Sequence, residues 1–143
     1  MRTHKLMLQA LGVLSALWIA PANAQSTDNL RADIPFAFSI GKQKMPAGQY
    51  RITAAPGSGI MTLQNVAKKI GAFTITYADS QPQGEQADCA LVIFNTYGSQ
   101  HYLSGVWNPV SGSTRRLFKS SAEREAASAG EPVKLAMIIA APE

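Results

Sequence analysis

The chain contains one cysteine, Cys89, and two histidines, of which His4 lies within the first five residues. A single cysteine cannot form a disulfide within the chain, so core packing and backbone hydrogen bonds must stabilise the fold. Cys89 precedes an apolar stretch, and we predict a buried, unreactive thiol, with an intermolecular disulfide as the alternative. Because His101 is the remaining histidine, most catalytic and metal-binding arrangements are excluded at once.

Long apolar runs are also scarce, and the one at residues 6–19 spans 14 residues. It is too short for the roughly 20 apolar residues of a membrane-spanning helix. Two basic residues precede it and an Ala-Asn-Ala sequence follows it, which is the order of segments in a cleavable secretory signal. We therefore predict a signal peptide at residues 1–24 and a single β-rich domain at residues 25–143. This predicts no membrane span after cleavage and a periplasmic or extracellular location.

Charged residues make up 15% of the chain, with 13 basic and 9 acidic side chains. Loss of Arg2 and Lys5 with the signal peptide would leave eleven basic residues against nine acidic ones, a net charge of +2. The lysines and arginines at 68–69 and 115–116 form pairs rather than a basic run. Since binding to nucleic acid needs several phosphate contacts, we predict no nucleic-acid partner.

Short β-forming runs separated by turn residues dominate the rest of the chain. Phe36, Phe38 and Ile40 alternate with period two, which buries one face of a strand. Residues 25–30 are polar, and we predict that they form a leader outside the fold. Further runs lie at residues 50–54, 60–64, 70–77 and 133–140. With about eight strands, we predict an all-β domain, either an antiparallel β-sandwich or, as the alternative, a small closed barrel.

The clearest local signals are a hairpin and a helix cap. Gly98-Ser99 is a two-residue connection between two β-rich runs, which favours a hairpin. In that hairpin Phe94 faces Leu103 and Val92 faces Gly105. Residues 120–123 (SSAE) fit a capping box, which predicts one short helix that ends near residue 128.

Two motifs, residues 34–38 (IPFAF) and 45–50 (MPAGQY), stand near the start of the predicted domain. Through them the chain resembles a group of small uncharacterised exported bacterial proteins with an I-P-F-x-F … [LM]-P-A-G-x-Y pattern. An apolar strand that ends in Tyr-Gly at residues 97–98 and the segment at residues 122–125 extend the resemblance over most of the domain. The group has no established activity, so the resemblance implies no ligand, cofactor or catalytic residue.

Residue patterns typical of enzymes are incomplete. Ser39 and Lys42 match S-x-x-K, but the companion motifs S-D-N and K-T-G are missing. In the predicted hairpin His101 faces a position about 23 Å from Cys89, beyond the reach of a nucleophile and its base. The acidic stretch at residues 79–88 lacks the closing glutamate of a calcium loop. We therefore predict no catalytic residue, no metal ligand and no cofactor.

Aromatic residues provide the candidate contact site. Trp107 stands at a strand-to-loop junction, and Tyr102 and Tyr97 lie near it in the sequence. Aromatic side chains combine a large contact area with few rotamers, so these three residues are candidates for contact with a partner or a sugar ring. The alternative is that Trp107 caps the core.

The apolar strand at residues 133–140 and the two-faced hairpin leave a surplus of apolar sheet surface, which must be covered. We therefore predict an exported, non-catalytic interaction or structural module of the cell envelope or exterior. Its partner would be an envelope protein, a glycan or a second copy of the chain. Carbohydrate or cell-wall binding is the first alternative function, and a small hydrolase is the second.

Overall fold

The computed structural model describes residues 28–55, 57–79 and 88–143, so the predicted signal peptide lies outside the described residues. No helix within these ranges is long and apolar enough to cross a membrane. The strands and the helix are β1 (Asp28–Ile34), β2 (Phe38–Ile40), β3 (Gln43–Met45), β4 (Gly48–Ala54), β5 (Ile60–Asn65), β6 (Gly71–Asp79), β7 (Ala90–Tyr97), β8 (Gln100–Asn108), β9 (Ser113–Leu117), α1 (Ser121–Ser128) and β10 (Lys134–Pro142).

Eight strands form an antiparallel barrel in the order β8-β7-β10-β1-β4-β5-β6-β9, and pairing of β9 with β8 closes the ring. The β2–β3 hairpin lies beside it, with β2 parallel to β8. The prediction of an all-β domain with one short helix near its end is confirmed. Of the two predicted architectures, the structure has the closed barrel, because its strands belong to one continuous sheet rather than to two packed layers.

Alternating side chains fill the barrel interior. In β4, Tyr50 and Ile52 are buried while Arg51 between them faces outward, as the period-two pattern requires. Phe94 of β7 is fully buried and meets Phe38 edge to face, with ring centroids 5.3 Å apart. At one end of the barrel a cavity of about 20 Å³ remains, which is room for about one water molecule.

The MPAGQY segment at residues 45–50 forms a tight corner between β3 and β4. The Tyr50 hydroxyl donates a hydrogen bond of 2.5 Å to the Pro46 carbonyl oxygen. Gly48 has a φ of 150°, and a Cβ there would lie 2.9 Å from the buried Asn65 amide nitrogen. Asn65 Oδ1 in turn accepts two backbone N–H groups of the β5–β6 turn. These motif residues therefore have a structural role in the corner.

The predicted hairpin joins β7 to β8 at the expected two-residue turn. Phe94 faces Leu103 as predicted. Val92, however, faces Val106 rather than Gly105, because a β-bulge shifts the register of the two strands by one residue. The prediction of the Val92 partner was therefore wrong.

The helix α1 begins with the serine half of the predicted capping box, whereas the glutamate half is not formed. The Ser120 side chain accepts a 3.1 Å hydrogen bond from the Glu123 backbone N–H. The Glu123 side chain points away from the cap and is 4% exposed. Its Oε1 accepts hydrogen bonds from Asn95 Nδ2 at 2.7 Å and from the Tyr97 hydroxyl at 3.3 Å. The helix is thereby anchored on the outer side of β7.

Three further predictions need correction. Cys89 is exposed rather than buried, because it lies in the bend before β7, where no strand covers it on both sides. The polar leader was placed too far into the chain, since β1 begins at Asp28 and buries Leu30. The final strand runs from Lys134 to Pro142, slightly later than predicted.

Candidate functional site

The structure brings two of the three predicted contact residues together. Tyr97 and Tyr102 meet edge to face, with ring centroids 5.9 Å apart, and both side chains are buried. The Tyr97 hydroxyl donates to Glu123, and the Tyr102 hydroxyl donates to Gln100 Oε1 at 3.0 Å. Both phenol groups are therefore engaged within the fold.

Trp107 lies elsewhere on β8. It is half-buried and sits opposite Leu91 of β7 and Thr114 of β9. It is five positions after Tyr102 on this strand, or about 17 Å away along the strand. The structure therefore does not bring Trp107 together with the two tyrosines into one surface.

Burial raises the pKa of Tyr97 above its usual 10.0, and the neighbouring Glu123 carboxylate raises it further. Burial also raises the pKa of Tyr50. The two tyrosines lose their protons at a lower pH in the unfolded chain than in the folded protein. Both therefore stabilise the folded protein fully below pH 10.0, and this contribution is lost as the pH rises through their pKa values in the folded protein.

We expect the free energy of unfolding, measured by urea titration at increasing pH, to fall above pH 10.0. In Tyr97→Phe this fall should be shallower, because one of the two raised groups is gone. Tyr77→Phe is the control, since Tyr77 is exposed on the outer surface. The prediction fails if Tyr97→Phe and the wild type lose stability equally over this alkaline range.

A polar cleft of about 200 Å³ lies between β2 and the start of β8. Its lining includes Ser39, Gln100, His101 and Tyr102. The His101 ring stacks on Phe36 at a centroid distance of 4.0 Å, and its Nδ1 lies 2.8 Å from Thr96 Oγ1. These contacts fix the ring in the cleft wall, where it can contribute to binding a polar ligand.

Acidic, histidine and cysteine side chains do not converge in the part of the chain that the structure describes. Within residues 28–55, 57–79 and 88–143, no three of them are grouped closely enough to hold a metal ion. His101 faces Thr96 across the hairpin, as the sequence predicts, and Cys89 lies seven residues before Thr96 in the chain. The cysteine and the histidine are therefore not placed as a nucleophile and its base.

A large exposed apolar surface lies on the outer side of β5 and β6 and at the end of β9. Phe73 is 79% exposed and Phe118 is 67% exposed, and the Phe118 ring lies 4.9 Å from that of Tyr77. Ile60 sits directly opposite Ile75 on the neighbouring strand. We call this surface the aromatic face, and it consists of Ile60, Phe73, Ile75, Tyr77 and Phe118.

The aromatic face has a basic border. Lys68 and Lys69 are exposed in the β5–β6 turn, and Lys119 is exposed directly after Phe118. At the other end of β6, Asp79 is paired with Arg116, whose Nε lies 2.6 Å from the carboxylate. The apolar centre and cationic border together can bind a surface of complementary shape and negative charge.

Sequence reasoning missed the aromatic face, although β6 was expected as a strand. Its alternation places Ala72 and Thr76 inside the barrel and the larger Phe73 and Ile75 outside. A core-facing strand is expected to bury its large apolar residues, so the pattern alone favours the opposite orientation. One feature of the sequence indicates the observed orientation of β6, namely the small residues at alternate positions, Ala72, Thr74 and Thr76.

A second exposed apolar surface lies on β10 and its neighbours. Leu135, Met137 and Ile139 face outward, and Ile139 is 69% exposed. Ile139 pairs with Leu91, which pairs with Trp107, so the apolar row continues over three strands. We call these five residues the aliphatic face. The apolar surface that the sequence predicted at residues 133–140 is present there.

Polar side chains of β1 and β4 lie between the two faces. Arg31 and Arg51 are directly opposite each other on these strands, and both contact the Glu143 carboxylate at 2.6 Å. The hydrogen bonds from Arg51 lower the pKa of Glu143 and raise that of Arg51. This ion cluster ties the end of β10 to the neighbouring strands.

Comparison of the chain with protein-family models, with curated proteins and with solved structures gave no match. Its function is therefore inferred from its own surfaces. The aromatic face has the largest exposed side chains and the clearest charge border, which makes it the main candidate site.

Proposed function

We propose that this protein is an exported, non-catalytic interaction module of the cell envelope or exterior that binds a protein partner through its aromatic face. The supporting observation is the exposure of five large apolar side chains on one continuous outer surface. Soluble monomers rarely expose large contiguous apolar patches unless these are interaction sites. Aromatic residues are also enriched at the centres of protein interfaces.

The chemistry of the partner follows from the border of the face. Lys68, Lys69 and Lys119 carry positive charge beside the aromatic side chains. A partner that covers this face needs an apolar surface flanked by acidic residues, since complementary charge guides association and disfavours other partners.

The test is capture of proteins from an envelope extract of the producing cells, followed by binding measurements with the purified partner. The double variant Phe73→Ser with Phe118→Ser should lower its affinity about 30-fold or more, because central interface residues each contribute at least about 1 kcal/mol. Val110→Ser is the matched control, since Val110 is 86% exposed but lies in the turn after β8. Equal binding by the double variant, or binding to anionic lipid vesicles alone, would overturn the proposal.

A second candidate function is glycan binding, supported by the polar cleft between β2 and β8. There Gln100 and Ser39 supply hydrogen-bonding groups next to the His101 and Tyr102 rings, a combination that suits a sugar. We expect Gln100→Ala to weaken binding to isolated cell wall, and we include Trp107→Ala because the sequence predicts that residue as a candidate contact for a sugar ring. If neither change affects cell-wall binding, this candidate is excluded.

A further inference from the structure

The aromatic face is centred on β6 and the aliphatic face on β10, and these two strands lie on opposite sides of the barrel, although the edges of the faces approach each other at β8 and β9. In the closed ring, three strands separate β6 from β10 in one direction, namely β5, β4 and β1. Three strands also separate them in the other direction, namely β9, β8 and β7. One molecule therefore presents two apolar surfaces whose centres point away from each other.

The charges beside the two faces differ in sign. The aromatic face is bordered by three exposed lysines, at positions 68, 69 and 119. Near the aliphatic face, exposed acidic side chains stand on β1 at Asp33, before β7 at Asp88 and before β10 at Glu131. The exposed Lys134 at the start of β10 offsets one of these charges. Arg31 on β1 and Arg51 on β4 share the Glu143 carboxylate, so this cluster offsets a second one. Acidic side chains thus remain in small excess around the aliphatic face, which is the sign of charge that the partner of the aromatic face requires.

We propose that the aromatic face of one copy of this protein binds the aliphatic face of the next, head to tail. The inference rests on the proposed binding role of the aromatic face and names a second copy as its partner. Pairing of two aromatic faces would bring the lysines of both copies together, whereas pairing of unlike faces brings lysines beside carboxylates. A contact between different surfaces leaves one face of each kind free at the ends, so the copies form open chains rather than closed dimers.

The experiment is sedimentation analysis of the purified protein, in the form that the cell leaves after any processing, over a wide concentration range. Phe73→Glu places a charge in the aromatic face, and Ile139→Glu places one in the aliphatic face. Each variant alone should remain monomeric, because each lacks one of the two surfaces. An equal mixture should form a dimer and nothing larger, while the wild type should grow beyond the dimer.

Ala37→Glu is the control, because it adds the same charge at an exposed apolar position in the segment before β2, outside both faces and their charged borders, and it should assemble like the wild type. Circular dichroism establishes that each variant is folded. A wild type that is monomeric at all concentrations, or that stops at a dimer, would overturn the inference. So would an Ile139→Glu variant that dimerises alone, since its aromatic face would then bind itself. A further outcome is a monomeric wild type together with a double variant, Phe73→Ser with Phe118→Ser, that fails to bind a captured protein partner that the wild type binds. In that case the head-to-tail inference fails and the proposed function stands.

Discussion

Replacement of Phe94 by alanine is expected to destabilise the protein by about 3–5 kcal/mol, the usual range when a buried phenylalanine is truncated in a core. Phe94 is fully buried, and its ring meets those of Phe36 and Phe38 edge to face at 5.0 and 5.3 Å. Its removal leaves a cavity at the point where the β2 segment packs on the barrel. Because total stability is about 5–15 kcal/mol for such domains, most of it could be lost. Chemical denaturation of both proteins measures the difference.

The matched control is Phe73→Ala, which removes the same side chain from the outer surface. Phe73 is 79% exposed, so the free energy of unfolding should change by no more than about 0.5 kcal/mol. The effects on partner binding should be the reverse of the effects on stability. Phe73→Ala should weaken binding of the partner, whereas a folded Phe94 variant such as Phe94→Leu should bind it like the wild type. Similar destabilisation by Phe73→Ala and Phe94→Ala would show that the aromatic face is part of the core and would contradict the assigned orientation of β6.

Features governed by neighbouring residues could be predicted from the sequence. The Ser120 cap, the turn at Gly98-Ser99 and the alternation through Tyr50 and Ile52 each depend on a few adjacent positions. Their signals come from hydrogen-bonding side chains, glycine conformations and the two-residue period of a strand. Tertiary context did not override these local preferences.

Features that depend on distant pairing could not be assigned in this way. A sandwich and a closed barrel have the same strand patterns, and what distinguishes them here is the contact of β8 with β9. The side of a strand that faces inward is also ambiguous when both sides are apolar. In β10, Ile138 packs against the core while Ile139 faces outward, and sequence alone does not distinguish them.

The candidate site was missed for the same reason. Trp107 and Tyr102 are close in the sequence, but an extended strand separates them in space. Phe73 and Phe118 are distant in the sequence, and only the pairing of β6 with β9 brings their strands side by side. A binding surface on the outside of a barrel is formed by neighbouring strands, so it becomes visible only when the strand order is known.

The second large effect is expected at Gly105, where β8 lies close to β9. A Cβ at this position would lie 2.8 Å from the Arg115 carbonyl oxygen and 3.3 Å from Thr114 Cγ2. The carbonyl belongs to the backbone of the strand that closes the barrel, so it cannot move without disturbing the ladder. Gly105→Ala should therefore destabilise the protein by about 1–3 kcal/mol, as forced overpacking does. Amide hydrogen exchange should show earlier loss of protection in β9 than in β4.

Gly71→Ala is the control for the glycine substitution, because a Cβ there would have its nearest contact at 3.4 Å from the Leu63 carbonyl oxygen. It should leave both stability and the protection of β9 close to those of the wild type. Since Phe118 directly follows β9, loosening of this strand by Gly105→Ala should also weaken binding at the aromatic face. Gly105→Ala with normal protection of β9 would mean that closure of the barrel tolerates the added methyl group. In that case the position of Phe118 would not depend on the close approach at Gly105.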